Sequence, residues 1–295
     1  MTQAFLEGIV PILVTPFDSQ GRIDDDSLRS LVEFNLEAGV HGLGIAIGSE
    51  IHKLSAPERD HVLDIVVKAV NGRVPVVMNV SAAGTDMAVQ QAMRAKELGA
   101  DALMAFPPSF LPTGAEAVVD YFTRIGSGAK LSIVLQDVPQ GPISPDMALR
   151  LADRIPDICA IKVETLPTVT QVQTMVLRVD QSMLVIGGAG GSYMIEEFRR
   201  GARGTMPFCS QPEDFLAVWS ALLTGDEAAA RDLFDRRIMA VNRLAAQGGD
   251  LFYHLHKAIL VKRGVIATPF VRGPTASPDS IARAEIEALV DQYFG

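Results

Sequence analysis

The stretch Ile158-Cys159-Ala160-Ile161-Lys162-Val163-Glu164-Thr165 is followed by helix-spaced residues from Pro167 to Val179 and a second apolar run from Met183 to Gly187. A short apolar run, a break, an amphipathic segment and another apolar run make one strand-then-helix unit. The unit repeats in both directions. Gly8 to Pro16, Gly42 to Ile47, Val74 to Val80, Ala102 to Phe106, Leu131 to Gln136 and Thr205 to Cys209 read as further strands. The helical segments that follow the strands are Asp24 to Ala38, Pro57 to Asn71, Asp86 to Leu98, Ala115 to Ile125, Pro145 to Arg154, Pro167 to Val179, Tyr193 to Arg200 and Glu213 to Leu223.

Eight such units in about the first 225 residues predict a parallel sheet closed as a (β/α)8 TIM barrel. The near-continuous apolar strands fit a sheet buried on both faces. A doubly wound open sheet is the rival. It carries a glycine-rich turn after its first strand, whereas here that turn is Val14-Thr15-Pro16-Phe17-Asp18. Beyond residue 225 the chain reads as helices only: Asp226 to Ala246, Leu251 to Lys262 and Ser277 to Phe294. The expected organisation is a barrel over 1–225 and a C-terminal helical extension over 226–295.

The chain has 295 residues, 48% hydrophobic and 21% charged, with a formal net charge of −9. Such a chain can bury a full core, and its acidity and lack of basic runs argue against nucleic-acid binding. Cys159 and Cys209 lie far apart inside apolar stretches and read as buried thiols of a reducing compartment. The N-terminus lacks the basic and apolar regions of a signal peptide, and the apolar runs are short for a membrane span. A soluble, cytoplasmic protein is expected, with no membrane partner.

In a (β/α)8 barrel the active groups lie at the C-terminal ends of the strands. Those ends are Thr15, Gly48-Ser49-Glu50, Asn79, Pro107-Pro108, Gln136-Asp137, Lys162-Val163-Glu164, Gly187-Gly188 and Met206-Pro207. Lys162 is the one lysine among them. Burial disfavours an ammonium ion, so a lysine on an apolar strand is a candidate nucleophilic amine able to form a Schiff base with a ketone. The competing reading is an ion pair with Glu50, Asp137 or Glu164. Glu164, two residues on, shares the strand face of Lys162 and is a candidate acid–base group or counter-ion. Gln136 has no useful acidity and can only orient a group by hydrogen bonds.

Ser49 with the amides of Ile47 and Gly48 is a candidate carboxylate cradle, or else an ordinary turn. Gly187 and Gly188 open a glycine-rich run before a helix and offer a second candidate contact for an anionic substrate, or a flexible turn. Glu50, Asp137 and Met206 complete the substrate-facing candidates. His41, His52, His61, His254 and His256 show no metal-ligand spacing, and neither a metal nor a cofactor is expected.

These motifs resemble the dihydrodipicolinate synthase/N-acetylneuraminate lyase superfamily of class I Schiff-base lyases. Gly8-Ile9-Val10-Pro11-Ile12-Leu13-Val14-Thr15-Pro16-Phe17 resembles its first strand, Ile161-Lys162 its Schiff-base strand and Lys262-Arg263-Gly264-Val265-Ile266 its C-terminal helical region. The departures are specific. Where the family has Gly-Thr-Thr-Gly-Glu this chain has Ala46-Ile47-Gly48-Ser49-Glu50. Where the family has Tyr-Asn-x-Pro, with a proton-relaying tyrosine, this chain has Gln136-Asp137-Val138-Pro139. The arginine that dihydrodipicolinate synthases carry next is replaced by Gln140-Gly141-Pro142, which argues against that activity. Ser-Glu, Gln-Asp-x-Pro and Lys-x-Glu-Thr together resemble the L-2-keto-3-deoxyarabonate dehydratase branch, from which the Gly187–Gly191 run departs.

The resemblance implies a small 2-keto acid as substrate and a homo-oligomer, tetramer or dimer. The tyrosine with which a neighbouring subunit completes the site has no counterpart in Pro107-Pro108-Ser109-Phe110. Three readings stand: a dehydratase of a 2-keto-3-deoxy sugar acid, a pyruvate-dependent aldolase, and a non-catalytic keto-acid-binding member.

Overall fold

The structure is a computed structural model that describes residues 6–111, 113–179 and 182–295. The strands are β1 (Gly8–Ile9), β2 (Leu43–Ile45), β3 (Val76–Asn79), β4 (Ala102–Ala105), β5 (Ser132–Asp137), β6 (Ile158–Val163), β7 (Leu184–Gly187) and β8 (Gly204–Thr205). They form one sheet in the spatial order β1-β8-β7-β6-β5-β4-β3-β2. Their ladders are parallel. Where the chain enters β2, the His41 amide donates to the Ile9 carbonyl at 2.9 Å, which brings the two ends of this order together.

A helix follows each strand: α1 (Asp25–Ala38), α2 (Ala56–Val70), α3 (Thr85–Glu97), α4 (Ala115–Ala129), α5 (Pro145–Arg154), α6 (Thr168–Val179), α7 (Met194–Phe198) and α8 (Pro212–Leu223). This is the (β/α)8 barrel, with a C-terminal helical part of α9 (Glu227–Leu233), α10 (Met239–Ala245), α11 (Leu251–Lys262) and α12 (Ser280–Phe294).

Local chemistry places the helix ends. Asp24 caps α1 by accepting from Ser27 N, and Gly39 ends it with φ of 92°. Ser144 caps α5 and Pro145 opens it, where a missing N–H costs nothing. Every strand residue is buried except the opening Ser132 and Leu184, which are half-buried.

The first strand is much shorter than its apolar run. Pro11 and Pro16 lack the N–H that a ladder needs, so regular pairing ends at Ile9 and only Ile12 bridges further on, to Phe208. The segment expected as one helix over 226–246 is α9 and α10 joined by a π-turn at Phe234–Ile238.

The chain divides into two compact units, one of Met1–Val10, His41–Gly44 and Val74–Pro207, the other of Pro11–Val40, Ile45–Arg73 and Phe208–Gly295. The second therefore joins α1, α2 and α8 to the C-terminal helices. Part of its core is Val241, Leu244, Leu251, Leu255, Ile259, Ile286 and Val290. No helix among the described residues is long and apolar enough to cross a membrane.

The second unit also buries charge. Lys257 and Glu50 are both fully buried and hydrogen-bonded to each other. The second Glu50 oxygen takes Lys53 Nζ at 3.0 Å and the Arg272 amide at 3.2 Å. Lys257 also donates to Phe270 O at 2.8 Å, so the network fastens the 270–272 segment. Burial pulls the Lys257 amine down to about 8, with Glu50 opposing the shift. Removing one partner of a buried ion pair strands the other. Lys257→Met is expected to destabilise the protein by about 3 kcal/mol in urea unfolding at neutral pH.

Candidate active site

Lys162 is the fifth residue of β6. In parallel register it pairs with Gln136 on one side and Ile186 on the other. Register partners present their side chains to the same face, so Gln136 stands beside the lysine because of strand alignment alone. Glu164 returns to that face just beyond the strand end.

The result is a chain of polar groups. Lys162 Nζ lies 3.1 Å from Glu164 Oε1, with the lysine side chain 5% exposed. Gln136 Nε2 donates to Glu164 Oε2 at 2.7 Å, and Gln136 Oε1 accepts from Asn79 Nδ2 at 3.0 Å. The Ala189 amide donates to Glu164 Oε1 at 3.3 Å. Three donors thus converge on one carboxylate. Of the three carboxylates considered as partners for Lys162, it is Glu164 that pairs with it.

Asp137 performs a different task. Its Oδ1 accepts from Ile143 N and Thr165 Oγ1, both at 2.8 Å, and its Oδ2 accepts from Thr165 N at 3.1 Å. Its carbonyl takes the Glu164 amide at 2.9 Å. Asp137 therefore pins the loops after β5 and β6 and fixes the backbone from which Glu164 projects. It also borders a cavity of about 420 Å³ with Thr113, Ile143, Met147, Thr165 and Gln171, of which Lys162 is not a lining residue.

Gly187 and Gly188 are needed for their missing side chains. A Cβ on Gly188 would overlap Cγ of Glu164, and one on Gly187 would overlap Oε2 of Glu197. Ala189 follows with φ of 49°, a left-handed conformation unfavourable for alanine, and in it donates to Glu164. Met206 is buried, and its amide ties the end of β8 to Gly187 O at 3.0 Å.

Within the second unit, Ile47–Ser49 form a 3₁₀ turn. The Ser49 hydroxyl donates to Leu13 O and accepts from Ala46 N at 3.0 Å, so it is engaged inside its own turn. Gly48 accommodates Phe208, whose ring would stand 3.0 Å from an added Cβ. Ile47 O accepts from Tyr253 Oη at 2.7 Å, and burial, with Glu50 and Asp250 nearby, pushes that phenol up so that it stays a donor. Glu50 sits in the buried network already described.

The sequence offers Asn79 only as a strand end and gives no role to Thr165, Tyr253 or Glu197. Asn79 ends β3 and was a legible strand-end amide. The other three act through turns or helices whose orientation one sequence does not display. Among the described residues no group of three metal-binding side chains occurs.

The glycine argument gives a direct test. Gly188→Ala places a methyl where Glu164 Cγ lies and pushes the carboxylate off Lys162. A misplacement near 1 Å costs on the order of 10²-fold in rate. The variant should fold with a thermal midpoint near wild type and lose about that factor in kcat.

The family model described as Dihydrodipicolinate synthetase family matches residues 5–293. A 4-hydroxy-tetrahydrodipicolinate synthase of Pseudomonas aeruginosa is 30% identical over 269 residues, covering 88% of this chain and 91% of that protein. An L-2-keto-3-deoxyarabonate dehydratase of Azospirillum brasilense is 28% identical over 292 residues, covering 96% of this chain and 93% of that protein. The crystal structure of a dihydrodipicolinate synthase from Rhodopseudomonas palustris superposes with a TM-score of 0.89 at 27% identity, covering 98% of each chain. The chain belongs to the dihydrodipicolinate synthetase family, and with it to the lyases.

Proposed function

We propose that this lyase forms a Schiff base between Lys162 and the C2 ketone of a 2-keto-3-deoxy sugar acid and eliminates water from it. The observation that carries the reading is the Glu164 carboxylate, 3.1 Å from the Lys162 amine through one oxygen and held by Gln136 through the other. An amine and a carboxylate within reach of each other, without the family's relay tyrosine, support this reading.

The Lys162 amine attacks C2, and the ketone oxygen leaves as water, giving an iminium ion. The iminium withdraws electrons from C3, whose proton passes to the Glu164 carboxylate as the enamine forms. The enamine then expels the C4 hydroxyl, which leaves as water with the proton that Glu164 holds. One water hydrolyses the conjugated iminium and frees both lysine and product. Two waters are released and one consumed, so the net reaction is the loss of one water.

Gln136 orients Glu164, and Asn79 orients Gln136. A positioned acid–base group contributes about 10²–10⁴ in rate. The dehydratase likeness to the Azospirillum brasilense protein over nearly the whole chain supports this substrate class.

A second reading is favoured by the relative from Pseudomonas aeruginosa, a synthase by name. If instead the C4 hydroxyl of the iminium loses its proton, C4 leaves as an aldehyde, the electrons of the C3–C4 bond pass into the iminium to give an enamine, and protonation at C3 and hydrolysis release pyruvate. The aldolase and the dehydratase share the imine and diverge after it.

Borohydride in the presence of a 2-keto acid is expected to add the reduced ligand's mass to Lys162. No added mass would sink both lyase readings in favour of a keto-acid-binding member. Lys162→Ala should stay folded and lose turnover, and Glu164→Gln should lower kcat by about 10²–10⁴ with the imine still trapped. In a panel of 2-keto-3-deoxy acids, loss of one water marks the dehydratase and pyruvate release marks the aldolase.

A further inference from the structure

Glu197 is a buried carboxyl that the proposed mechanism does not use. It lies on α7 at 1% exposure, and neither oxygen has a hydrogen-bond partner among the described residues. The Thr168 hydroxyl, at the start of α6, is buried to the same degree and is also unpartnered among them. Buried polar groups are nearly always hydrogen-bonded, and buried charges are paired or bind a metal ion. These two side chains therefore call for a partner that the chain itself does not supply.

A third oxygen faces the same place. A Cβ on Gly187 would stand 2.0 Å from Glu197 Oε2 and 3.5 Å from Thr205 Oγ1, so both oxygens border the spot where a side chain is missing. Thr205, on β8 and 1% exposed, donates to Gly187 O at 3.4 Å and keeps its own lone pairs. The Thr168 hydroxyl acts on the Glu197 carboxyl from α6. One carboxylate and two hydroxyls, from three different elements, thus gather at the end of β7.

Positive charge is what this place lacks. Burial is the main influence on Glu197 and pushes its carboxyl up to about 7; Thr168 opposes, while Glu196 and Glu164, both acidic, push with burial. No lysine or arginine among the described residues bonds to Glu197, and no amide of α6 reaches it either. The Arg200 guanidinium, on the same side, donates to Glu196 O at 2.8 Å.

We infer that Glu197, Thr168 and Thr205 bind a monovalent metal cation, sodium or potassium, against the end of β7. Carboxylate and hydroxyl oxygens suit a hard cation. One carboxylate balances a single positive charge, whereas a divalent ion would leave a buried charge uncompensated. Such a site needs no cluster of three His, Cys, Asp or Glu, and none occurs among the described residues. Bound there, the ion ties α6, α7 and β8 to the residue before Gly188, beside which Glu164 stands. The inference does not depend on the imine chemistry proposed above.

Rubidium, which substitutes for potassium and scatters X-rays anomalously, locates the ion. In crystals of the wild-type protein grown in rubidium chloride, an anomalous peak is expected between Glu197, Thr168 and Thr205. No peak, or a peak without anomalous signal and hence a water, overturns the site.

Thermal unfolding gives the readout in solution. It is measured at constant ionic strength and at a pH above 7, where the carboxyl is ionised. Replacing tetramethylammonium, which is too large for a buried site, by potassium or sodium should raise the midpoint by about 2 °C once the cation reaches ten times its dissociation constant. Glu197→Gln keeps the shape and removes the charge, and its midpoint should be the same in all three salts. An equal rise in the variant is a general salt effect and overturns the site. If Glu197→Gln does not fold, Thr205→Val serves: it removes one ligand oxygen at nearly constant volume, so the rise should weaken, and an unchanged rise overturns the site.

Discussion

A lysine buried on a strand requires an anion within reach, and the local architecture follows from where that anion stands. Lys162 and Glu164 are two residues apart, close enough to share a face yet separated by the point at which β6 ends. The lysine is fixed by the sheet ladder and the glutamate by a loop, so the loop must be as well determined as the strand. Asp137 does this from the adjacent strand, binding the backbone of 164 and 165 through its carbonyl and its carboxylate. The pairing of Gln136 with Lys162 in the same ladder then places an amide on the far oxygen of Glu164 without any further device.

Volume is the second constraint, and it is met by absence. The end of β7 carries two glycines in succession because both sides of the strand are occupied by glutamate side chains from elsewhere. Ala189 adopts a left-handed backbone immediately afterwards and aims its amide at one of those glutamates. Unfavourable backbone geometry placed beside a buried ion pair is a pattern found where position outranks stability. The glycine-rich run reads in the sequence as flexibility or anion binding, and in the structure as room for carboxyls.

How much of this the sequence disclosed depends on the range of the interaction involved. Burial on both faces makes the strands apolar throughout, so the strand-helix alternation and the barrel were legible at once. The same-face relation of Lys162 and Glu164 follows from strand geometry and was legible too. The proline-limited β1 was readable in principle, since Pro11 and Pro16 stand in the run. Ser49 and Asp137 were harder, because a hydroxyl or carboxylate at a strand end looks the same whether it faces a ligand or ties a turn. Their partners, Leu13 O and Thr165 N, are backbone groups with no mark in the sequence. Glu197 was invisible for a related reason: the space it fills is left by Gly187, and a glycine carries no mark of what occupies that space.

The choice between dehydration and cleavage comes down to the fate of one proton near C4. A tyrosine relay passes a proton along and favours neither fate by charge, whereas a carboxylate beside the imine holds the C3 proton as an acid close to the departing hydroxyl. On the mechanism proposed above, replacing the relay by Glu164 biases the iminium toward losing its C3 proton and then water. Gln136 reinforces the bias, because an amide occupies the relay position on β5 and cannot accept the C4 hydroxyl's proton. On this argument the exchange of Tyr-Asn for Gln136-Asp137 and the presence of Glu164 are one change, since removing the relay leaves the carboxylate as the group that must move both protons.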